Sequence, residues 1–181
     1  MKKFKLTSEF IVDISGVKLF RIKALIEFGN VKAGDLGGYI EKEENLSHMG
    51  DAWVSDDARI SGNAQVFGDA QVFGNAQVFG DAWVFGNARV FGNARVSGDA
   101  QVFGDARVSG DKDYAYAHGF GSCNRTTTFF RLKDGDVGVR CGCFYGTLVQ
   151  FRDKVCETHG ETKKAQEYLM LADLMEIRFK N

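Results

Sequence analysis

The residues best suited to chemistry lie in the last third of the chain. Cys141 and Cys143 stand two apart in a segment with strand character, so an extended backbone would put both thiols on one face. With Cys123, Cys156 and His159 they would supply a Cys/His zinc set. Their spacing is not that of a finger or ribbon, in which paired C-x₂₋₄-C knuckles recur. The other reading, adopted here, is that they are free thiols buried as small apolar residues. No metal or cofactor is therefore expected.

The run GFGSCNRTTT, residues 119–128, joins glycines and hydroxyls to one guanidinium. Such a run can present backbone N–H groups and a charge-assisted donor to a phosphate or carboxylate. It has neither the lysine of a phosphate-binding P-loop nor the spacing of a dinucleotide fold, and a plain connecting loop explains it as well. A small anionic or nucleotide-like ligand would be held by Ser122, Asn124, Arg125 and Thr126, with His118, Arg131 and Arg140 nearby. General-base work near neutral pH would fall to His48, His118 or His159. A lone histidine such as His118, at the end of a packed unit, serves structure as readily as proton transfer. No catalytic residue is assigned.

These residues must be positioned by what precedes them, and residues 51–110 are a repeat. Alanine falls at 52, 58, 64, 70, 76, 82, 88, 94, 100 and 106, each followed two residues later by Val or by Ile60. Residues two apart share a face of an extended segment, whereas a helix would scatter a six-residue period around its axis. Each Ala/Val pair therefore points inward, and the intervening Trp53, Arg59, Gln65, Gln71, Gln77, Trp83, Arg89, Arg95, Gln101 and Arg107 point outward. Gly and Asp or Asn close each unit, residues that tolerate the positive φ of a sharp bend. Strands this short are stable only if successive units wrap into a coil that buries the Ala/Val column. Three units per turn give an 18-residue coil, with neighbouring coils ~4.8 Å apart and a prism roughly 16 Å long. Each buried Val contributes on the order of 1.5–3 kcal/mol.

An 18-residue turn stacks outward residues in files. Phe67, Phe85 and Phe103 form one, Phe73 and Phe91 a second, and Phe79 lies between Ser61 and Ser97 in the third. Two readings stay open: these rings cover the prism edge and pack on flanking segments, or they form a subunit interface, since contiguous exposed apolar files seldom stay bare.

The flanks depart from the repeat. Residues 1–50 read as two strands around Ser15-Gly16 and an acidic stretch, an N-terminal β cap for the open end of a coil. After Gly110 the pattern degrades, with Lys112 and Tyr114 in the next Ala and Val positions, and the repeat unit is taken to end at residue 118. Residues 119–181 then read as a ββαα module. Its hairpin turns at Asp134-Gly135; its first helix opens on the Thr147…Gln150 capping box and ends at Gly160; its second spans about 162–178.

The six-residue pattern resembles the left-handed parallel β-helix of the hexapeptide-repeat superfamily, whose best-known enzymes are acyltransferases and whose members often trimerise. Handedness comes from that resemblance alone, because the usual crossover rule gives the opposite hand. VKAGDLGGYIEKEENLSHMGDAWV, the repeats, and the tail TTTFFRLKDGDVGVRCGCFYGTL with THG together resemble hexapeptide-repeat proteins of bacteria and their phages. The resemblance covers nearly the whole chain. It implies the three-part, mainly β architecture and a phage or prophage origin, and it transfers no catalytic residue.

Composition narrows the remaining classes. A net charge of -1, with acidic corners interleaved among the outward arginines, argues against DNA binding. No run approaches the ~18 apolar residues of a membrane span. No signal peptide is evident in MKKFKLTSEF, so a bacterial host cytoplasm and reduced thiols are expected. The chain contains no proline, as suits a backbone committed to sheet ladders. The expected function is a non-catalytic homo-oligomer, trimer or dimer, that binds a small anionic ligand or a host protein and serves a phage in sequestering a host signal. Ten repeats without an inserted loop or histidine support that reading. An acyltransferase and a virion or surface structural component are the alternatives.

Overall fold

The computed structural model describes residues 1–122 and 124–180. Three strands open the chain: β1 (Phe4–Val12), β2 (Lys18–Ala24) and β3 (Leu36–Ile40). Ten two-residue strands follow, one per repeat, from β4 (Trp53–Val54) to β13 (Arg107–Val108). Four longer strands, β14 (Tyr114–Phe120), β15 (Arg125–Arg131), β16 (Val137–Cys141) and β17 (Phe144–Thr147), precede helices α1 (Leu148–His159) and α2 (Lys163–Phe179).

The ten short strands wind into a three-sided β-solenoid. Every alanine from Ala52 to Ala106 and every Val or Ile from Val54 to Val108 in the repeat is fully buried. Strands pair in parallel with the strand 18 residues on, as in Gln71↔Arg89↔Arg107. From β4 to β10 the first N–H of each strand donates to a carbonyl of the following coil, for example Arg59 to Ala76 at 2.9 Å. The corners stack as well: Gly68 has φ +70°, and a Cβ there would lie 3.0 Å from the amide nitrogen of Gly86. Glycine suits both the left-handed turn and the close coil-to-coil approach, and Asp56 alone among residues 50–104 holds such a corner without it, at φ +56°.

Winding begins earlier than the repeat. Tyr39 and Ile40 on β3 pair in parallel with Arg59 and Ile60, and Leu46 forms a parallel bridge with Val66. This first turn is offset by 20 residues instead of 18, and Gly38 replaces the alanine. A Cβ at Gly38 would come within 2.6 Å of the Ala58 carbonyl oxygen. Counting it, the solenoid has about four turns. Antiparallel β1 and β2 extend the same sheet outward from β3. The turn at Ser15-Gly16 is present, with Asp13 Oδ1 accepting from the amides of Ser15 (2.8 Å) and Val17 (2.9 Å).

The C-terminal module has the two helices expected from sequence, but its sheet is larger than the expected hairpin. Tyr114–Phe120 is not a further coil but the first strand of a four-stranded antiparallel sheet, β14-β15-β16-β17. Phe129, Val139, Leu148, Phe151, Val155, Tyr168, Ala172, Met175 and Phe179 form the core between sheet and helices. Thr147 and Gln150 make the expected capping box, and Gly160 ends α1. The sheet packs on the last coil: Gln101 N donates to Thr128 Oγ1 (3.0 Å), Ser97 N to the Tyr114 hydroxyl (3.1 Å), and Phe103 lies 4.1 Å from Tyr145 between ring centroids. No helix among the described residues is long and apolar enough to cross a membrane.

Candidate functional site

A cavity of about 230 Å³ opens in the C-terminal module where the β14–β15 turn, the β16–β17 turn and both helices converge. Phe144, Phe151 and Val155 make its apolar floor. Ser122 and Arg125 reach it from the first turn, Cys141 and Cys143 from the second, Lys154, Thr158 and His159 from α1, and Tyr168 from α2.

The local backbone explains this convergence. Cys141 pairs with Phe144, which leaves Gly142 and Cys143 as a two-residue hairpin turn with Gly142 at φ +59°. Arg125 lies across that glycine: a Cβ there would stand 2.5 Å from its Nη1. The first turn is tied to α2, with Gly121 N donating to Glu167 Oε2 (2.8 Å) and Ser122 N to the Tyr168 hydroxyl (3.0 Å). The Tyr168 hydroxyl donates to the Ser122 carbonyl (3.3 Å) and lies 3.7 Å from Cys141 Sγ, which accepts from Thr127 Oγ1 (3.2 Å). Burial, reinforced by the neighbouring Cys141, raises the Tyr168 phenol above its ordinary range, so it stays a neutral donor and acceptor.

Arg125 and Lys154 flank the opening beside His159, and among the described residues no Asp or Glu lines the cavity. Lys154 is itself paired with Glu157 at 2.9 Å along the helix. A cationic rim, hydroxyls at Ser122, Thr158 and Tyr168, and an apolar floor suit an anion carrying an apolar or planar part.

Of the residues read from sequence as anion ligands, Ser122 and Arg125 line this cavity and the others do not. Asn124 is exposed on the turn at φ +45°. Thr126 Oγ1 is bonded instead to His118 Nδ1 (2.9 Å), and His118 lies 3.8 Å from Asp99. Arg131 donates to the carbonyls of Gly135 (3.1 Å) and Phe179 (2.9 Å). Arg140 Nε donates to Gln101 Oε1 (3.2 Å) on the solenoid. Most of residues 119–128 form the strand ends and turn of a hairpin, so alternate side chains leave on opposite faces.

The thiols also differ from expectation. Cys141 is half-buried, and Cys143 and Cys156 are exposed. Cys143 is in a turn and not on a strand face with Cys141, and Cys156 sits off the buried Leu148, Phe151, Val155 stripe. Cys123 lies outside the described residues. Among the described residues no three His, Cys, Asp or Glu groups are arranged to hold a metal ion. Lys154, Thr158 and Tyr168 were not singled out from sequence. The signal for two of them was available, because positions 154 and 158 adjoin the Phe151, Val155 stripe at helical spacing.

The phenylalanine files are stacked as the 18-residue turn requires. Phe67–Phe85 centroids are 4.8 Å apart at 6°, Phe85–Phe103 4.7 Å at 13°, and Phe73–Phe91 5.1 Å at 6°. All are half-buried, and Phe79 carries Arg95 over its face at 5.6 Å. The first file packs on the C-terminal module through Phe103 and Tyr145.

Comparison with curated proteins found no match. A family model described as YdcK beta solenoid repeat matches residues 58–74, 82–98, 88–102 and 100–111. Those segments are the coils whose alanine and valine columns fill the prism. The chain is a β-solenoid repeat protein, similar over these segments to that repeat family.

Proposed function

We propose that the protein is a non-catalytic, oligomeric β-solenoid that captures a small anionic ligand in the C-terminal cavity. The observation that carries the reading is the Arg125–Lys154–His159 rim around a cavity with no acidic lining residue among the described residues. Arg125 supplies a planar fork for phosphate or carboxylate oxygens, and Lys154 a mobile point charge. Ser122 and Tyr168 fix orientation, while Phe144 and Phe151 receive the apolar part of the guest. The solenoid is taken as left-handed and of the hexapeptide-repeat kind, on the resemblance of its repeat to that superfamily. The Phe73–Phe91 file and the Phe79 corner are the surfaces offered to further subunits, as dimer or trimer, while the Phe67–Phe85–Phe103 file packs on the C-terminal module through Tyr145. A phage protein that withholds an anionic signal from its host fits this design, which needs affinity and no turnover.

Isothermal calorimetry of the full chain against inorganic phosphate, nucleoside monophosphates and cyclic dinucleotides tests the reading. At least one should bind, with affinity falling about tenfold or more in Arg125→Gln through loss of a charge-assisted pair. No heat from any member, or equal binding by the variant, would remove it.

A further inference from the structure

A second site lies on the solenoid itself, independent of the anion cavity. Of the ten outward strand residues only Trp53 and Trp83 are aromatic. Trp53 is 5% exposed, packed against Phe28 at 5.4 Å, whereas Trp83 is 41% exposed. Trp83 meets Phe67 edge-on at 6.0 Å. The two form one wall of a groove of about 570 Å³, whose rim is Glu43, Glu44 and His48.

The solenoid indicates what this aromatic pair lacks. Arginines lie over three corner phenylalanines: Arg89 over Phe73 at 5.0 Å, Arg95 over Phe79 at 5.6 Å, and Arg140 over Phe103 at 5.2 Å. Arg89 and Arg95 each follow their phenylalanine by 16 residues. The residue 16 after Phe67 is Trp83, and among the described residues no cation lies over either ring. The outward column of this face reads Gln65, Trp83, Gln101, while the other two columns carry Arg59 and Arg95, or Arg89 and Arg107. The face without a strand arginine carries the Glu43 and Glu44 carboxylates at its groove. Glu43 is already engaged by Lys2 and His48, each at 2.7 Å. Glu44 is exposed and makes no ion pair among the described residues.

We propose that the Phe67–Trp83–Glu44 groove is a docking site for an arginine side chain of a partner protein. The guanidinium would lie on the Trp83 indole, repeating the protein's own arginine–phenylalanine contacts, and would pair with the Glu44 carboxylate. The groove is open at its surface, as suits a side chain presented on an extended segment.

Emission from the full chain provides the test, because Trp83 is the exposed tryptophan and Trp53 the buried one. Titration with acetyl-Gly-Arg-Gly-amide should change the emission saturably, and the peptide with uncharged citrulline in place of arginine should not. Glu44→Gln should weaken arginine-peptide binding by about threefold or more. Trp83→Gln, which places in the column the residue already present at 65 and 101, should abolish calorimetric binding while leaving the circular dichroism spectrum unchanged. A non-saturating response to the arginine peptide, equal response to the citrulline peptide, or undiminished binding by Glu44→Gln would overturn the proposal.

Discussion

Lys3 and Asp113 finish opposite ends of the same hydrogen-bond ladder with opposite chemistry. The first N–H of a strand and those at the corners donate to the next coil, so at these positions carbonyls are left over at the start and N–H groups at the finish. At the start, Lys3 Nζ donates to the carbonyls of Gly50 (3.1 Å) and Ala52 (2.8 Å), and Asn45 Nδ2 does the same for Gly62 (3.1 Å) and Ala64 (2.8 Å). At the finish, acceptors wait instead: Asp113 Oδ2 takes Ser109 N (3.0 Å), Asp111 Oδ1 takes Arg95 N (3.1 Å), and Thr128 Oγ1 takes Gln101 N. Strand edges left bare would pair with other chains, and these side chains occupy them.

Asn45 is fully buried, so its truncation cannot be repaired by water at little cost. Asn45→Ala strands two carbonyls and should lower unfolding free energy by about 2 kcal/mol. Urea denaturation followed by circular dichroism measures it. A loss below about 0.5 kcal/mol would mean that the two contacts contribute little.

Lys3 makes stability depend on pH in an unusual direction. Burial pulls its ammonium from 10.5 down to about 8, against the opposing pull of Asp51 and Asp69. Between those values the unfolded chain binds the proton and the folded chain has released it. Stability should therefore rise as pH climbs from about 8 toward 10.5, and the contribution should be flat below that window. The gain is on the order of 1–3 kcal/mol. Urea midpoints at pH 7.5, 8.5 and 9.5 for the wild type and Lys3→Met supply the comparison, and the slope should be shallower in the variant.

The coil interior was legible because its physics is repetitive. Ala76 and Val78 recur in type and spacing, and strands that short bury such a column only by winding into a coil. The first turn was hidden by two small departures, Gly38 in the alanine position and a 20-residue offset to Arg59. Tyr114 was placed in a coil because it fills a valine position, but it is the first residue of β14, paired with Phe130. The candidate site was half legible. Arg125 and Ser122 advertise their chemistry locally, whereas Tyr168 lies 46 residues from Ser122 and meets it only through packing. Arg131 and Arg140 belong to the right strands, but their own partners turn them toward Phe179 and Gln101.

Ala76 tests the interior directly. It is fully buried in a column between Ala58 and Ala94, which are also fully buried. Ala76→Leu must displace facing residues of the other two sides, and should cost about 1–3 kcal/mol. Thermal melts of the variant should show a lower midpoint with the wild-type sheet signature retained. An unchanged midpoint would mean that the interior has spare room.

Gly121 holds the cavity's upper turn at φ +71°, and a Cβ there would run into the Tyr168 ring. Gly121→Ala should therefore push the turn off α2, breaking the Ser122–Tyr168 contacts while the distant solenoid coils stay intact. Hydrogen exchange reads this locally. Faster exchange at Gly121 and Ser122, with unchanged protection at Arg59 and Gln77, is the expected pattern. Uniform loss of protection would show instead that the module and the solenoid unfold as one unit.

Cys143 and Cys156 are both exposed thiols, but only Cys143 lines the cavity. The pair therefore serves as a probe and an internal control. Iodoacetamide should alkylate both in the free protein, with half-buried Cys141 slower, because rates follow thiolate access. Any anion that binds between Arg125 and Lys154 should slow alkylation at Cys143 by about fivefold or more when present at several times its dissociation constant, by simple occupancy. Cys156 should react at its original rate. Peptide mass spectrometry separates the two sites. Equal protection of both would point to a global change in the chain, and protection of neither by an anion that calorimetry shows to bind would move the ligand out of this cavity.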